Sequence, residues 1–177
     1  MPREHGVPVV LVRLFNTVGP RQTGAYGMVL PRFVSQALAG DPITIHGDGN
    51  QSRCFGWVGD VVNALIKLSQ HDAAVGTIFN IGSDEEVTIN HLAAIVREVT
   101  GSSSKIHHIS YEEAYGQGFE DMLRRVPDLT RIREAIGYSP TKSLREIVQA
   151  VADSLTHKGQ FEADGSRFAP QQLFHAD

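Results

Sequence analysis

The feature that most constrains this chain is one uninterrupted run, Val7-Pro8-Val9-Val10-Leu11-Val12-Arg13-Leu14-Phe15. β-Branched and large apolar residues follow one another there without the alternation expected of a strand with one wet face. Such a run reads as a strand covered on both sides within a parallel sheet. Asn16–Arg21 ends it with Gly19-Pro20, a strong turn signal. Thr77–Ile81 is a second run of the same kind. Two such strands are too few for a complete parallel sheet, so the pattern predicts part of a larger α/β fold.

Between and after these strands the periodicity changes. Leu30, Phe33, Val34, Ala37 and Leu38 give Met28–Ala39 helical spacing, and Gly40 ends it. Ile43–His46 reads as a short strand, Gly47-Asp48-Gly49 as a tight turn, and Arg53–Val58 as another strand. Gly59-Asp60 precedes a helix over Val61–Ser69, with Asp60 expected as an N-cap contributing about 1 kcal/mol. The polar Ser83–Glu86 turn and Thr88 lead into an amphipathic helix through Ile89, Leu92, Ala93, Ile95, Val96 and Val99, stopped at Gly101. Lys105–Ile109 reads as a strand, Tyr111–Leu123 as loop-rich, and Asp128–Ile136 and Leu144–Leu155 as helices. Residues 157–177 are polar and aperiodic, which predicts one domain over 1–156 followed by a flexible tail.

Composition narrows the function. With 177 residues, 41% of them hydrophobic and 20% charged, the chain has the size and make-up of one ordinary globular domain. Its net charge of −4 gives no broad basic surface for nucleic acid. No run approaches the ~18 apolar residues of a membrane span, and Met1–Val10 lacks a signal-peptide layout. Cys54 is the single cysteine and forms no internal disulfide, which fits a cytoplasmic protein. It also has no evident activating base, and is expected to be a small buried residue. The histidines show no metal-ligand spacing, and His107-His108 would project to opposite faces of a strand, so no metal site is expected.

Five segments in order resemble the extended short-chain dehydrogenase/reductase family, in its NAD-dependent nucleotide-sugar epimerase/dehydratase branch. They are Arg13-Leu14-Phe15-Asn16-Thr17-Val18-Gly19-Pro20, Leu30-Pro31-Arg32-Phe33-Val34, Ile45-His46-Gly47-Asp48-Gly49-Asn50-Gln51-Ser52-Arg53, Phe79-Asn80-Ile81-Gly82-Ser83 and Arg124-Arg125-Val126-Pro127-Asp128. Gly137-Tyr138-Ser139-Pro140 with Leu144 is similar to the family's closing segment. The match spans roughly residues 5–155. It implies a partial Rossmann-type parallel sheet with a small carboxy-terminal substrate-binding lobe.

The resemblance also implies substrate-binding roles for Asn16, Leu30, Arg32, Thr44, His46, Arg53 and Arg125. Arg53 matches the position that contacts the diphosphate, where a planar guanidinium makes paired, charge-assisted hydrogen bonds. Asn16 matches an amide after the buried strand; a turn residue bonding its own backbone is the alternative. Ile43–His46 matches the base cradle, where the family commonly carries an aromatic residue in place of His46. Arg125, with Arg124 as competitor, matches an arginine near the sugar or its phosphates in the decarboxylating branch, and salt-bridging is the alternative for both.

The family's Gly-x-x-Gly-x-x-Gly turn and Tyr-x-x-x-Lys pair belong upstream of the strand matching Val7–Phe15, so the resemblance implies that this chain corresponds to the carboxy-terminal half. Tyr138-Ser139-Pro140-Thr141-Lys142 has the right spacing, but Pro140 opposes the continuous helix that the pair requires. Gly47–Ser52 is followed by a strand pattern, whereas a dinucleotide site needs a helix there. No catalytic residue is therefore assigned and no cofactor-binding residue is identified. NAD belongs to the complete family member and is not expected to bind this chain stably alone. The resulting expectation is the nucleotide-sugar-binding half of a 4-epimerase-like enzyme, inactive by itself. The alternatives are a UDP-glucuronate decarboxylase or 4,6-dehydratase, and a non-catalytic binding or assembly module. The expected partners are a nucleoside diphosphate sugar and either a second copy or a complementary amino-terminal half.

Overall fold

The computed structural model describes residues 7–22, 28–116, 118 and 121–163, with side chains described as far as residue 156. The elements are β1 Leu11–Leu14, β2 Thr17–Val18, α1 Val29–Ala39, β3 Ile43–His46, β4 Ser52–Cys54, β5 Gly56–Trp57, α2 Val58–Ser69, β6 Ile78–Ile81, β7 Glu86–Thr88, α3 Ile89–Thr100, β8 Ile106–Ile109, α4 Tyr111–Tyr115, β9 Arg124–Arg125, α5 Thr130–Ile136 and α6 Leu144–Ala163. The fold is α/β with parallel pairing, as the resemblance implied.

Four small sheets organise the chain. β1 pairs in parallel with β6, β2 with β5, and β3 with β8. β4 is the middle strand of the fourth, antiparallel to β7 and parallel to β9. One apolar cluster joins α1, α3 and α6 to β3: Phe33, Val34, Leu92, Val96, Ile147, Val148, Ile43 and Ile45 are all buried within it. Fully burying side chains of this size contributes roughly 1.5–3 kcal/mol each, so this cluster is the main source of stability. A second cluster packs α2 and α5 on β6 through Val61, Ala64, Leu68, Phe79, Ile81 and Ile132.

The first two strands have the composition of strands covered on both faces in a larger sheet, and here that cover is partial. Val10 and Val12 pack on the second cluster, and Phe79 and Ile81 are buried, but Leu11 and Leu14 are 48% and 46% exposed. Among the described residues β1 pairs only with β6, and Leu11 on one of its faces and Leu14 on the other are each about half exposed.

Helix boundaries differ in three places. α2 begins at Val58, because Trp57 is already extended and acts as its cap without a side-chain bond. Asp60 therefore lies in the first turn and is not the N-cap. Its carboxylate accepts from the Thr141 N–H at 2.9 Å and the Thr141 hydroxyl at 2.6 Å, tying α2 to the segment after α5. Part of the loop-rich stretch is helical: Ser110 caps α4 by accepting from the Glu113 N–H. α6 runs to Ala163, past the expected end at Leu155. The rest of the expected tail, 164–177, lies outside the described residues. No described helix is long and apolar enough to cross a membrane.

Candidate functional site

The loop after β1, the start of α1, the β3–β4 turn, α4 and β9 converge on a cavity of about 240 Å³. Of the residues assigned from sequence, Asn16, Leu30, Arg32, His46, Arg53 and Arg125 line it. Thr44 does not. Its hydroxyl accepts from Gln36 Nε2 at 2.9 Å and its N–H donates to Gln36 Oε1 at 3.1 Å, so its side chain is committed to α1.

The glycine-rich turn brings the backbone close to its neighbours. Gly47 and Gly49 have φ of +77° and +74°, and a Cβ on either would lie 2.6 Å from the Tyr111 ring or 2.3 Å from the Asn90 amide. Only glycine meets both demands. The turn leads into β4, where Gln51, Arg53 and Phe55 alternate onto the cavity face.

Asn16 occupies the left-handed region, φ 33°, which asparagine tolerates better than most residues. Its Nδ2 donates to the Cys54 carbonyl at 2.8 Å, and its own carbonyl accepts from the Gly56 N–H at 3.1 Å. Asn16 thus links the end of β1 to β4 and β5, and its amide bonds a distant carbonyl instead of its own backbone.

Arg32 donates from Nη1 to His46 Nε2 at 2.6 Å and from Nη2 to the Thr44 carbonyl at 3.1 Å. Arginine has no acceptor, so Nε2 must be the bare nitrogen and Nδ1 carries the proton. Nδ1 then donates to the Tyr115 hydroxyl at 2.8 Å. Burial, and secondarily the Arg32 charge, hold the His46 pKa below its ordinary value, and burial lowers that of Arg32. Tyr115 meets His46 edge-on, with ring centroids 5.1 Å apart.

Arg53 and Arg125 are register partners across β4 and β9. Arg53 donates from Nη1 to the carbonyls of Ser52 and Met122 and from Nη2 to Asp121. The Arg125 guanidinium stands 5.5 Å over the Phe15 ring. Arg124 faces the other way: its guanidinium holds both oxygens of Glu86, and this ion pair pulls the Glu86 carboxyl below its usual range. Strand alternation thus decides which of the two arginines reaches the cavity.

Four buried side-chain polar atoms among the described residues lack a hydrogen-bond partner: Thr17 Oγ1, Gln22 Oε1, Arg32 Nε and Gln51 Oε1. All four belong to residues lining this cavity. Buried polar atoms are normally satisfied, so their gathering here marks the cavity as a place for a polar ligand.

Comparison with known proteins bears on the family and the fold. A family model described as the NAD dependent epimerase/dehydratase family matches residues 1–82. A UDP-N-acetyl-alpha-D-glucosaminuronate decarboxylase of Bacillus cytotoxicus is 42% identical over 149 residues, 81% of this chain and 46% of that protein. This chain belongs to the NAD-dependent epimerase/dehydratase family. Among solved structures, an epimerase of Methanothermobacter thermautotrophicus matches with a TM-score of 0.81 at 25% identity, over 92% of this chain and 47% of that one. A UDP-glucose 4-epimerase of Thermotoga maritima, solved with UDP-glucose, matches with a TM-score of 0.79 at 28% identity, over 89% of this chain and 48% of that one. The chain spans about half the length of these relatives.

Among the described residues, the two passages that imitate the family's glycine turn and Tyr-x-x-x-Lys pair are built differently from those motifs. The Gly47–Gly49 turn opens a strand and not a helix, and the α3 N-terminus beside it is spent on the turn itself, the Asn90 N–H donating to the Gly49 carbonyl at 3.0 Å. The Tyr138 hydroxyl is buried and donates to the Gly82 carbonyl at 2.7 Å, and burial pushes its pKa up to about 12. Lys142 stands over the Trp57 ring at 5.3 Å, and neither residue lies on a helix. Cys54 is buried, and burial pushes its thiol up to about 11. Among the described residues no group of histidines, cysteines and carboxylates could hold a metal.

Gln51, Tyr111, Tyr115 and Asp121 also line the cavity and carry no role assigned from sequence. Counting back by two from Arg53 reaches Gln51. Ser110-Tyr111-Glu112-Glu113 has the Ser-x-x-Glu pattern of a helix start, and would have placed both tyrosines on one helical face. Nothing local signals Asp121.

Proposed function

We propose that this chain binds the nucleoside diphosphate end of a UDP-sugar, as the substrate-binding half of an NAD-dependent 4-epimerase-like enzyme. The observation that carries this reading is the Arg53–Arg125 pair: two arginines in register on neighbouring strands, both lining the cavity. A diphosphate bridging the two would make paired, charge-assisted hydrogen bonds to both. Leu30, Arg32 and His46 form the wall that takes the base, and Asn16 stands nearer the sugar. The name of the 42% identical relative favours a second reading, a decarboxylase acting on a UDP-uronic acid.

In either reading, NAD supplies reversible oxidation of the sugar hydroxyl in the complete enzyme. The part of this chain is to seat and orient the substrate, and alone it is inactive and cytoplasmic. Calorimetric titration tests the binding. UDP should bind, uridine should bind more weakly, and Arg125→Ala should weaken UDP about ten- to a hundredfold while scarcely affecting uridine. Equal losses for both ligands would remove Arg125 from the phosphate site. Combining the chain with a half carrying Gly-x-x-Gly-x-x-Gly and Tyr-x-x-x-Lys, with NAD and UDP-glucuronate, separates the reactions: a 4-epimer as product supports the first, and release of carbon dioxide the second.

A further inference from the structure

Arg53 is already engaged by an anion. Its Nη2 donates to Asp121 Oδ1 at 2.5 Å, while Nη1 is held by the Ser52 and Met122 carbonyls at 2.7 and 2.8 Å. The Tyr111 hydroxyl donates to the other Asp121 oxygen at 3.3 Å, so the carboxylate is fixed from both sides. The two side chains are 12% and 29% exposed, and both residues line the cavity. Arg125, next to Arg53 in the register, has no carboxylate at ion-pair distance among the described residues. A carboxylate and a phosphoryl group present similar oxygens to a guanidinium fork. Asp121 therefore stands where an oxygen of a phosphate bound to Arg53 would stand.

We propose that Asp121 is an internal competitor for Arg53, occupying its anion seat until a diphosphate displaces it. Asp121 thereby sets how much negative charge a ligand must bring. The proposal rests on the reading in which Arg53 and Arg125 receive the diphosphate. A diphosphate engages Arg125 with one phosphoryl group and displaces Asp121 with the other. A monophosphate engages Arg125 and leaves the Arg53–Asp121 pair closed. Since the observed affinity of a ligand that needs Arg53 free is the intrinsic one reduced by the fraction of sites that are open, the competing pair weakens the diphosphate, and it denies Arg53 to the monophosphate altogether.

Titrating UDP, UMP and uridine into the full chain and into Asp121→Asn tests this, since the amide keeps the shape and removes the charge. UDP should bind the variant about three- to tenfold more tightly, UMP should gain at least as much, and uridine should be unchanged. Asp121→Ser should repeat the pattern, and thermal melts of both variants establish that they fold. If UDP binds the parent chain but binds both variants no better, or worse, Asp121 positions Arg53 and does not compete with the ligand, and the proposal is overturned. An equal gain for uridine overturns it too, because the cavity would simply have opened. If UDP binds none of the three proteins, the diphosphate reading itself fails.

Discussion

Arg53 and Arg125 face each other in register across the parallel strands β4 and β9, so two cations far apart in sequence stand side by side on one cavity wall. If they grip one diphosphate, their contributions are coupled. Arg53→Ala and Arg125→Ala are each expected to weaken UDP about ten- to a hundredfold. The double variant should lose less than the sum, because one lost grip already loosens the ligand. A double-mutant cycle by calorimetry measures this, and strict additivity would place the two side chains on separate ligand groups or on none.

His46 gives the fold a pH dependence of defined sign. Its pKa is held below the ordinary value, first by burial and then by Arg32, so on acidification the unfolded chain takes the proton before the folded one. Stability should therefore fall as pH drops below about 6.5, the ordinary histidine value, and level off below the folded pKa. Melting temperatures at pH 5 and 7.5 check this. His46→Phe should reduce the difference between them, and an unchanged difference would assign it to other groups.

Cys54 should be inert at neutral pH. Its burial and its thiol pKa of about 11 keep the thiolate scarce, so iodoacetamide should label it only after unfolding. The sign for stability is opposite to that of His46. The folded thiol keeps its proton between about 9 and about 11 while the unfolded one loses it, so stability should decline across that window. Rapid labelling of the native chain at pH 7.5 would contradict the buried placement.

Tyr138 is expected to matter for the fold and not for the ligand. Tyr138→Phe leaves the Gly82 carbonyl without its donor and should cost about 1–2 kcal/mol in a denaturant titration. UDP affinity should not change. A loss of UDP binding with unchanged stability would instead move Tyr138 into the binding site.

The half-exposed apolar side chains and the free edge of β1 predict association. Leu11 and Leu14 are about half exposed, Ile78 beside them is 38% exposed, and the second edge of β1 has no partner among the described residues. An unpaired edge with apolar side chains is a template for pairing. Sedimentation should show concentration-dependent self-association, reduced by Leu11→Lys with Leu14→Lys. A parent chain that stays monomeric at every concentration would mean that these side chains tolerate water.

The sequence by itself determined the types of the main elements and about a third of the cavity lining. Apolar spacing placed α1 and α3 within a residue or so of their ends, and β3 and the Gly47–Gly49 turn where they stand. Residue type and motif order brought out Asn16, His46 and Arg53. These signals are local, because periodicity and turn chemistry depend on neighbours along the chain. Tertiary structure alone decided the rest. The register of β9 against β4 turns Arg125 into the cavity and Arg124 onto Glu86, although the two are adjacent and chemically identical. The closure of Asp121 onto Arg53 depends on how a distant loop returns to β4, and no spacing in the sequence encodes it. How far Leu11 and Leu14 are covered is decided in the same way. An apolar strand records what it can pack against, and only the assembled layers decide whether that partner is there.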